Sequence, residues 1–304
     1  MKLLFCGSGW PDIVGLIAAQ LPPGDSIRAW DRSRSLVDEI IADPPDVILP
    51  SNGHVDEAAI AAAAERGLRL IQQPAVGSEG IDKRAAAARG IPVCNAPGAN
   101  QTAVAECALL LLLMCARQWG GARQAFREAR IGTPLGTELA GAHLVVVGKG
   151  KTGGAVAQRA AALGMRVTAT DSQTSREDFL ALLATADAVS LHCPLTPATT
   201  GLIDAAALAA LPAHALLVNV ARGAVIERGA LEEALARGHL GGVGLDVFWQ
   251  EPWDPRDTLF HHPRVVTLPH VAGSTTQAFA AIAAIVVDNV ARLKRGEELR
   301  HRIA

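Results

Sequence analysis

Three polar residues each follow an apolar run by only a few positions: Arg222 after Leu216-Leu-Val-Asn-Val220, Glu251 after Val243-Gly-Leu-Asp-Val247, and His270 after Val265-Val-Thr-Leu-Pro269. An arginine grips a carboxylate through two parallel hydrogen bonds. A histidine exchanges the proton of an alcohol or carbonyl near neutral pH, and a glutamate beside it orients the imidazole and favours its charged form. Taken singly, each has a plainer reading: a surface ion pair for Arg222, a solvated acid ahead of Pro252 for Glu251, a turn cap for His270. Together, at strand ends of one sheet, they point to proton transfer on a substrate that carries a carboxylate.

A second constellation supplies a redox partner. Leu144-Val-Val-Val-Gly148-Lys-Gly150-Lys-Thr-Gly153 runs from an apolar strand into a helix through a Gly-x-Gly-x-x-Gly turn. Gly148 permits the tight turn, Gly150 lets backbone approach a pyrophosphate, and Gly153 lets the helix pack close. Lys151 and Thr152 open that helix, whose N–H groups and positive dipole end face the anion. Val167-Thr-Ala-Thr170 reads as the next strand and ends in Asp171. A carboxylate there accepts from ribose hydroxyls and repels a 2′-phosphate, which favours NAD over NADP. The plainer reading is a glycine-rich turn with no ligand; the complete series of strand, turn, helix, strand and Asp weighs against it. A similar run, Gly7-Ser-Gly9-Trp-Pro-Asp12, places Pro and Asp where a dinucleotide needs open backbone, and reads as an ordinary turn into a helix.

These residues need a frame. Before residue 100, strand-like segments (2–6, 26–30, 47–50, 68–72, 92–95) alternate with helix-like ones (13–20, 35–41, 56–66, 82–89), the pattern of a parallel sheet covered on both faces. A second alternating series begins at Leu144 and runs through 187–193, 215–219, 242–246 and 265–268. The expected fold class is therefore α/β, with two doubly wound domains: a substrate domain over residues 1–98 plus 279–304, and a Rossmann domain over 99–278. Residues 278–295, with Phe279, Ile282, Val286 and Val290 at helical spacing, read as a helix that returns to the first domain and stops at Gly296. Ligands of such sheets sit at the carboxyl ends of the strands, and the cleft between the domains is the expected site.

Composition narrows the partners. The 304 residues are 50% apolar with a formal net charge of −2, and Lys and Arg are scattered, so nucleic acid is not expected. Five cysteines at 6, 94, 107, 115 and 193 form no Cys-x-x-Cys pair, which suggests buried thiols in a reducing cytoplasm. No signal-length apolar run precedes Gly7 and Pro11, so export is not expected. The apolar run 103–116 is too short to span a bilayer and carries Glu106; it reads as a buried helix that needs cover on more than one face, from its own core and a second subunit. His261 and His262 lack partners at ligand spacing, and no metal is expected.

The motifs also resemble a known family. Val218-Asn-Val-Ala-Arg-Gly223, Gly244-Leu-Asp-Val-Phe-Trp-Gln-Glu-Pro252 and Leu268-Pro-His-Val-Ala-Gly-Ser274 are similar to signature segments of the D-isomer-specific 2-hydroxyacid dehydrogenases. Gln73-Pro-Ala-Val-Gly77, Ala96-Pro-Gly-Ala-Asn100 and Leu191-His-Cys-Pro-Leu-Thr196 extend the resemblance over nearly the whole chain. It implies a flavodoxin-like substrate domain beside the Rossmann NAD-binding domain, Arg222, Glu251 and His270 as the catalytic trio, and Val76, Gly77, Asn100 and Arg222 as substrate contacts. It also implies cofactor contacts from Leu195, Thr196, Val220, Ala221, Asp246 as partner of the nicotinamide carboxamide, His270 and Gly273, and a homodimer with the 103–116 helix near its interface. Departures carry weight too. Lys149 and Thr152 replace apolar residues of the family's glycine turn, and Pro50-Ser-Asn-Gly-His54 lacks the arginine of phosphoglycerate-type members, so an unphosphorylated 2-oxo acid is expected. The rival reading is an NAD(H)-sensing interaction protein without turnover.

Overall fold

In the computed structural model, which describes all 304 residues, the chain forms two compact units, Met1–Asn100 with Ser274–Ala304, and Gln101–Gly273. The first holds β1 (Lys2–Phe5), α1 (Asp12–Ala18), β2 (Ser26–Ala29), α2 (Leu36–Ala42), β3 (Val47–Leu49), α3 (Glu57–Ala64), β4 (Leu70–Gln72), α4 (Lys83–Ala88) and β5 (Val93–Cys94). All its strands are parallel, in the order β2-β1-β3-β4-β5, the flavodoxin-like order. Alternate side chains of β1 feed opposite cores: Leu3 and Phe5 join Ile13, Ile17, Ile282 and Val286, whereas Leu4 joins Ile40, Ile48 and Ile60. Helix starts are fixed by side chains that accept an orphan N–H, Ser35 from Asp38 at 3.1 Å, Asp56 from Ala59 and Asp82 from Ala85, both at 2.9 Å.

The chain's last helix, Thr276–Arg295, belongs to this unit, as its apolar spacing predicts. Thr275 caps it, Gly296 ends it in the left-handed region at φ 69°, and buried Asn289 donates to Gln72 Oε1 at 2.7 Å. Beyond it the chain end pairs with β5, Val93 N–H to Ala304 O and Ile303 N–H to Val93 O, covering an edge that the sequence left open.

The second unit opens with α5 (Gln101–Ala116) and α6 (Trp119–Arg127) and continues β6 (His143–Val147), α7 (Lys151–Ala162), β7 (Arg166–Thr170), α8 (Arg176–Leu183), β8 (Ala188–Leu191), α9 (Ala205–Ala210), β9 (Leu216–Asn219), α10 (Arg228–Ala236), β10 (Gly242–Leu245) and β11 (Val265–Thr267). Its parallel sheet runs β11-β10-β9-β8-β6-β7. The strands β6, β8, β9 and β10 are buried along their whole length because helices cover both faces, which is why they read as continuous apolar runs. The doubly wound order common in dinucleotide-binding sheets has a further strand outside β7. Here only a tight turn and α8 join β7 to β8, so β7 is the sheet edge and Asp171 stands at its exposed end.

Candidate active site

The glycine turn has the shape that a dinucleotide requires. Gly148 sits at φ 108°, where a side chain is strained, and a Cβ on Gly153 would lie 1.9 Å from Gly148 O. The helix α7 can therefore approach β6 only with glycine at that position. A Cβ built on Gly150 meets nothing within 4 Å, and Gly150 caps α7 with no side-chain hydrogen bond, so no side chain of the cap satisfies the helix's first N–H groups. That opening fits a pyrophosphate. Lys151 and Thr152 form the first turn of this helix. Asp171 accepts Gln173 N–H at 2.9 Å and pairs with Lys149 Nζ at 3.1 Å; these two contacts, the first the larger, hold its carboxyl below the usual aspartate range. The turn after β8 is stitched by Thr199, whose Oγ1 accepts Thr196 N–H at 2.8 Å and donates to Pro194 O at 2.6 Å, with Leu195 packed against the core.

The structure brings Arg222, Glu251 and His270 to the carboxyl ends of β9, β10 and β11 in the same unit. Asn219, fully buried at the end of β9, shapes the turn that presents Arg222: its Oδ1 accepts Ala221 N–H at 3.0 Å and its Nδ2 donates to Arg222 O at 2.8 Å. Val220 and Ala221 line this buried turn. Gly223 then lets it press on the next loop, since a Cβ there would lie 2.1 Å from the Phe248 carbonyl carbon. That next loop carries Glu251. Phe248 N–H donates to Glu251 Oε1 at 3.0 Å, leaving Oε2 to receive His270 Nδ1 at 2.6 Å. Burial opposes ionisation of Glu251, but the His270 hydrogen bond and charge, the Phe248 N–H and the Arg222 charge together outweigh it and hold the carboxyl below the usual glutamate range.

His270 itself adopts φ 54°, an uncommon conformation outside glycine. Asp246 imposes it. Its two carboxylate oxygens accept the N–H groups of the residues after His270, Val271 at 2.8 Å and Ala272 at 2.9 Å, and thereby fix the turn that also contains Gly273. The resemblance gives Asp246 to the nicotinamide; in the structure it is wholly buried and its visible work is to hold the His270 turn. Burial pushes its carboxyl up to about 6, against the opposing pull of the two N–H groups and His270.

Val76, Gly77 and Asn100 lie in the other unit, past the carboxyl ends of β4 and β5. Gln73, which opens the Gln73–Gly77 motif but was given no role of its own, ties two loops there by donating to Ser51 O at 3.0 Å and Gly77 O at 2.5 Å, and Asn95 Nδ2 donates to Val76 O at 3.0 Å. The tryptophans beside Glu251 both make contacts within their own unit: Trp249 Nε1 donates to Ile226 O at 2.7 Å, and the Trp253 ring lies 4.4 Å from that of Phe248, tilted by 36°. His192 lies beneath Gly148, 2.8 Å from Ser190 Oγ, and burial lowers its pKa to about 4, so it is neutral packing and no acid. His261 is bonded to Pro255 O, and no group of side chains has the arrangement of a metal site.

Residues 109–272 match the model of the D-isomer specific 2-hydroxyacid dehydrogenase NAD-binding domain. The chain is 36% identical over 282 residues to a glyoxylate reductase of Korarchaeum cryptofilum, covering 87% of this chain and 84% of that protein. It is 38% identical to a D-3-phosphoglycerate dehydrogenase of Mycobacterium tuberculosis over 93% of this chain and 57% of the relative. The crystal structure of the TT0316 protein of Thermus thermophilus superposes with a TM-score of 0.87 at 32% identity, over 100% of both chains. The chain belongs to the D-isomer-specific 2-hydroxyacid dehydrogenase family, and its second unit carries that family's NAD-binding domain. It spans about half the length of several curated relatives it matches.

Proposed function

We propose that the protein moves a hydride between NAD(H) and C2 of a D-2-hydroxy acid or its 2-oxo acid. The observation that carries this reading is the 2.6 Å His270–Glu251 pair on the sheet whose first strand opens into the glycine turn. The dinucleotide, held by the glycine turn, α7 and Asp171, supplies or accepts the hydride. Arg222 grips the substrate carboxylate and polarises the C2 carbonyl. His270, its Nδ1–H given to Glu251, presents Nε2 to the substrate oxygen and donates the proton that turns the carbonyl into a hydroxyl; in oxidation the same nitrogen takes it back. Asp246 keeps the imidazole in place through the two N–H groups that follow it. The Leu195–Thr196 turn, Val220–Ala221 and Gly273 complete the cofactor contacts, and Val76, Gly77 and Asn100 the substrate contacts. NADH oxidation with a panel of 2-oxo acids tests the assignment; absence of turnover with every acid would favour the sensor.

The substrate is unphosphorylated in this reading. The Ser51–His54 loop carries no arginine, and Arg32, at the same end of the sheet, is engaged with Cys6 O at 2.6 Å and with the Trp30 ring at 4.4 Å. Glyoxylate, hydroxypyruvate or a larger oxo acid should exceed 3-phosphohydroxypyruvate in kcat/KM, because a phosphate held without a cation is costly. The reverse order would overturn this and direct attention to Arg32. A homodimer is the expected assembly. Leu110, Leu113, Trp119, Phe126, Ile131 and Leu135 are all exposed on α5, α6 and the loop that follows, with Ile131 at 99%. Light scattering should give twice the chain mass. Five free thiols, four of them buried, suit a reducing cytoplasm, and a net charge of −2 favours a small-molecule partner over nucleic acid.

A further inference from the structure

The glycine turn bears a charge that its work as a backbone cradle does not call for. Lys149 Nζ stands 3.1 Å from Asp171 Oδ2, with the two side chains 54% and 37% exposed. Asp171 Oδ1 is taken by the Gln173 N–H, so Oδ2 is the oxygen left to face a ribose, and it is the one that the ammonium touches. Since β7 is the sheet edge, no further strand walls this end of the site. The other groups bonded to Asp171 are neutral: the Gln173 N–H on its carboxylate, and Thr174 Oγ1, which accepts its backbone N–H.

We propose that Lys149 is a cofactor-selectivity residue: it offsets the Asp171 carboxylate so that the site binds NADPH as well as NADH, with only a modest preference for NADH. The inference rests on Asp171 being the ribose ligand. With a 2′-hydroxyl, Asp171 accepts from the ribose and Lys149 stays paired. With a 2′-phosphate, the flexible four-carbon stem of Lys149 swings the ammonium onto the phosphate, whose attraction for a cation exceeds that of one carboxylate.

Equilibrium titration of NADH and NADPH by nicotinamide fluorescence, with no oxo acid present, tests this apart from turnover. Wild type should bind NADPH within about tenfold of NADH, and Lys149→Met should weaken NADPH by about tenfold while moving NADH less than about threefold. Lys149→Arg should keep NADPH binding. Asp171→Ser should make NADPH the tighter ligand, and adding Lys149→Met to it should abolish that gain. Equal weakening of both dinucleotides by Lys149→Met, no effect on either, or a wild-type gap above about a hundredfold would overturn the proposal. If Asp171→Ser changes the ratio and Lys149→Met does not, the selectivity role alone fails. If Asp171→Ser leaves both dissociation constants unchanged, the ribose-site reading fails with it.

Discussion

Each unit leads its first strand through a glycine turn into a helix, yet only one of the two turns can hold an anion. After β1, a Cβ on Gly7 would meet Phe5 Cζ at 2.6 Å and Ser51 Cβ at 2.8 Å, so that glycine serves local packing. Trp10 adopts φ 57°, Pro11 brings no N–H, and the seven-residue α1 opens with Asp12, whose charge repels an anion. After β6, the third glycine locks a twelve-residue helix against the turn, that helix opens with Lys151 where α1 opens with Asp12, and the Lys149 ammonium offsets the Asp171 carboxylate. The middle glycines, Gly9 and Gly150, are alike in having nothing within 4 Å of a Cβ; the difference lies in the third glycine and in the first helical turn. The same division runs along both carboxyl edges. The edge of the second sheet carries Arg222, Glu251 and His270, which move charge and protons. That of the first carries Asn100 and the amides Gln73 and Asn95, which donate to the backbone oxygens of Ser51, Gly77 and Val76.

Substitutions at the two edges should separate sharply. His270→Ala removes the proton donor and should lower kcat about a thousandfold, with the NADH dissociation constant nearly unchanged. Arg222→Ala should cost on the order of a hundredfold in kcat/KM for oxo-acid reduction, again without loss of NADH binding. The glycine turns sharpen the contrast: Gly153→Val, which forces a side chain into Gly148 O, should weaken NADH by more than about tenfold, whereas Gly9→Ala, with nothing within 4 Å of its Cβ, should leave binding within about twofold. On the first edge Gln73→Leu releases the Ser51 and Gly77 loops, and KM should rise several-fold with kcat little changed. Equal effects on kcat from Gln73→Leu and Arg222→Ala would erase the division.

The pH dependence adds a subtler separation. Burial pushes the Asp246 carboxyl up to about 6, well above its ordinary 3.8. As pH falls through 6 the carboxyl becomes protonated, one oxygen turns from acceptor to donor, and the Val271 and Ala272 N–H groups lose part of their anchor. Activity in both directions should therefore fall on an acid limb near 6, and Asp246→Asn should remove that limb while lowering activity throughout. For stability the signs are opposite at the two acids. Between about 4 and 6 the folded state binds the extra proton at Asp246, so this group's contribution declines as pH rises through that window. Glu251, held below its ordinary 4.5, contributes stability above that value and loses it as pH falls through the folded one.

Much of the site is legible in the chain because strand ends are local events. An apolar run followed by Arg, Glu or His places a side chain at a sheet edge without knowledge of its neighbours, and the Gly148–Gly153 spacing specifies its own turn. The rest depends on contacts between distant segments. That Asn219 builds the Arg222 turn had one local signal, a polar residue closing an otherwise apolar strand. Gln73 lies in a motif that the sequence shows, but its tie to Ser51, like Asp246 holding the His270 turn and Lys149 meeting Asp171, joins segments more than twenty residues apart and had no local signal. The pairing of the chain end with β5 is likewise set by tertiary packing, whereas the absence of a strand outside β7 follows from the short connection to β8.

The most direct test of His270 as the proton-transfer group is kcat/KM against pH, above the Asp246 limb, for 2-oxo-acid reduction and 2-hydroxy-acid oxidation by the same preparation under conditions where chemistry limits the rate. Reduction requires the protonated imidazole and should fall as pH rises, while oxidation requires the neutral one and should climb over the same range, with His270→Ala losing both limbs. Profiles that run in the same direction, or limbs that persist in His270→Ala, would contradict the assignment.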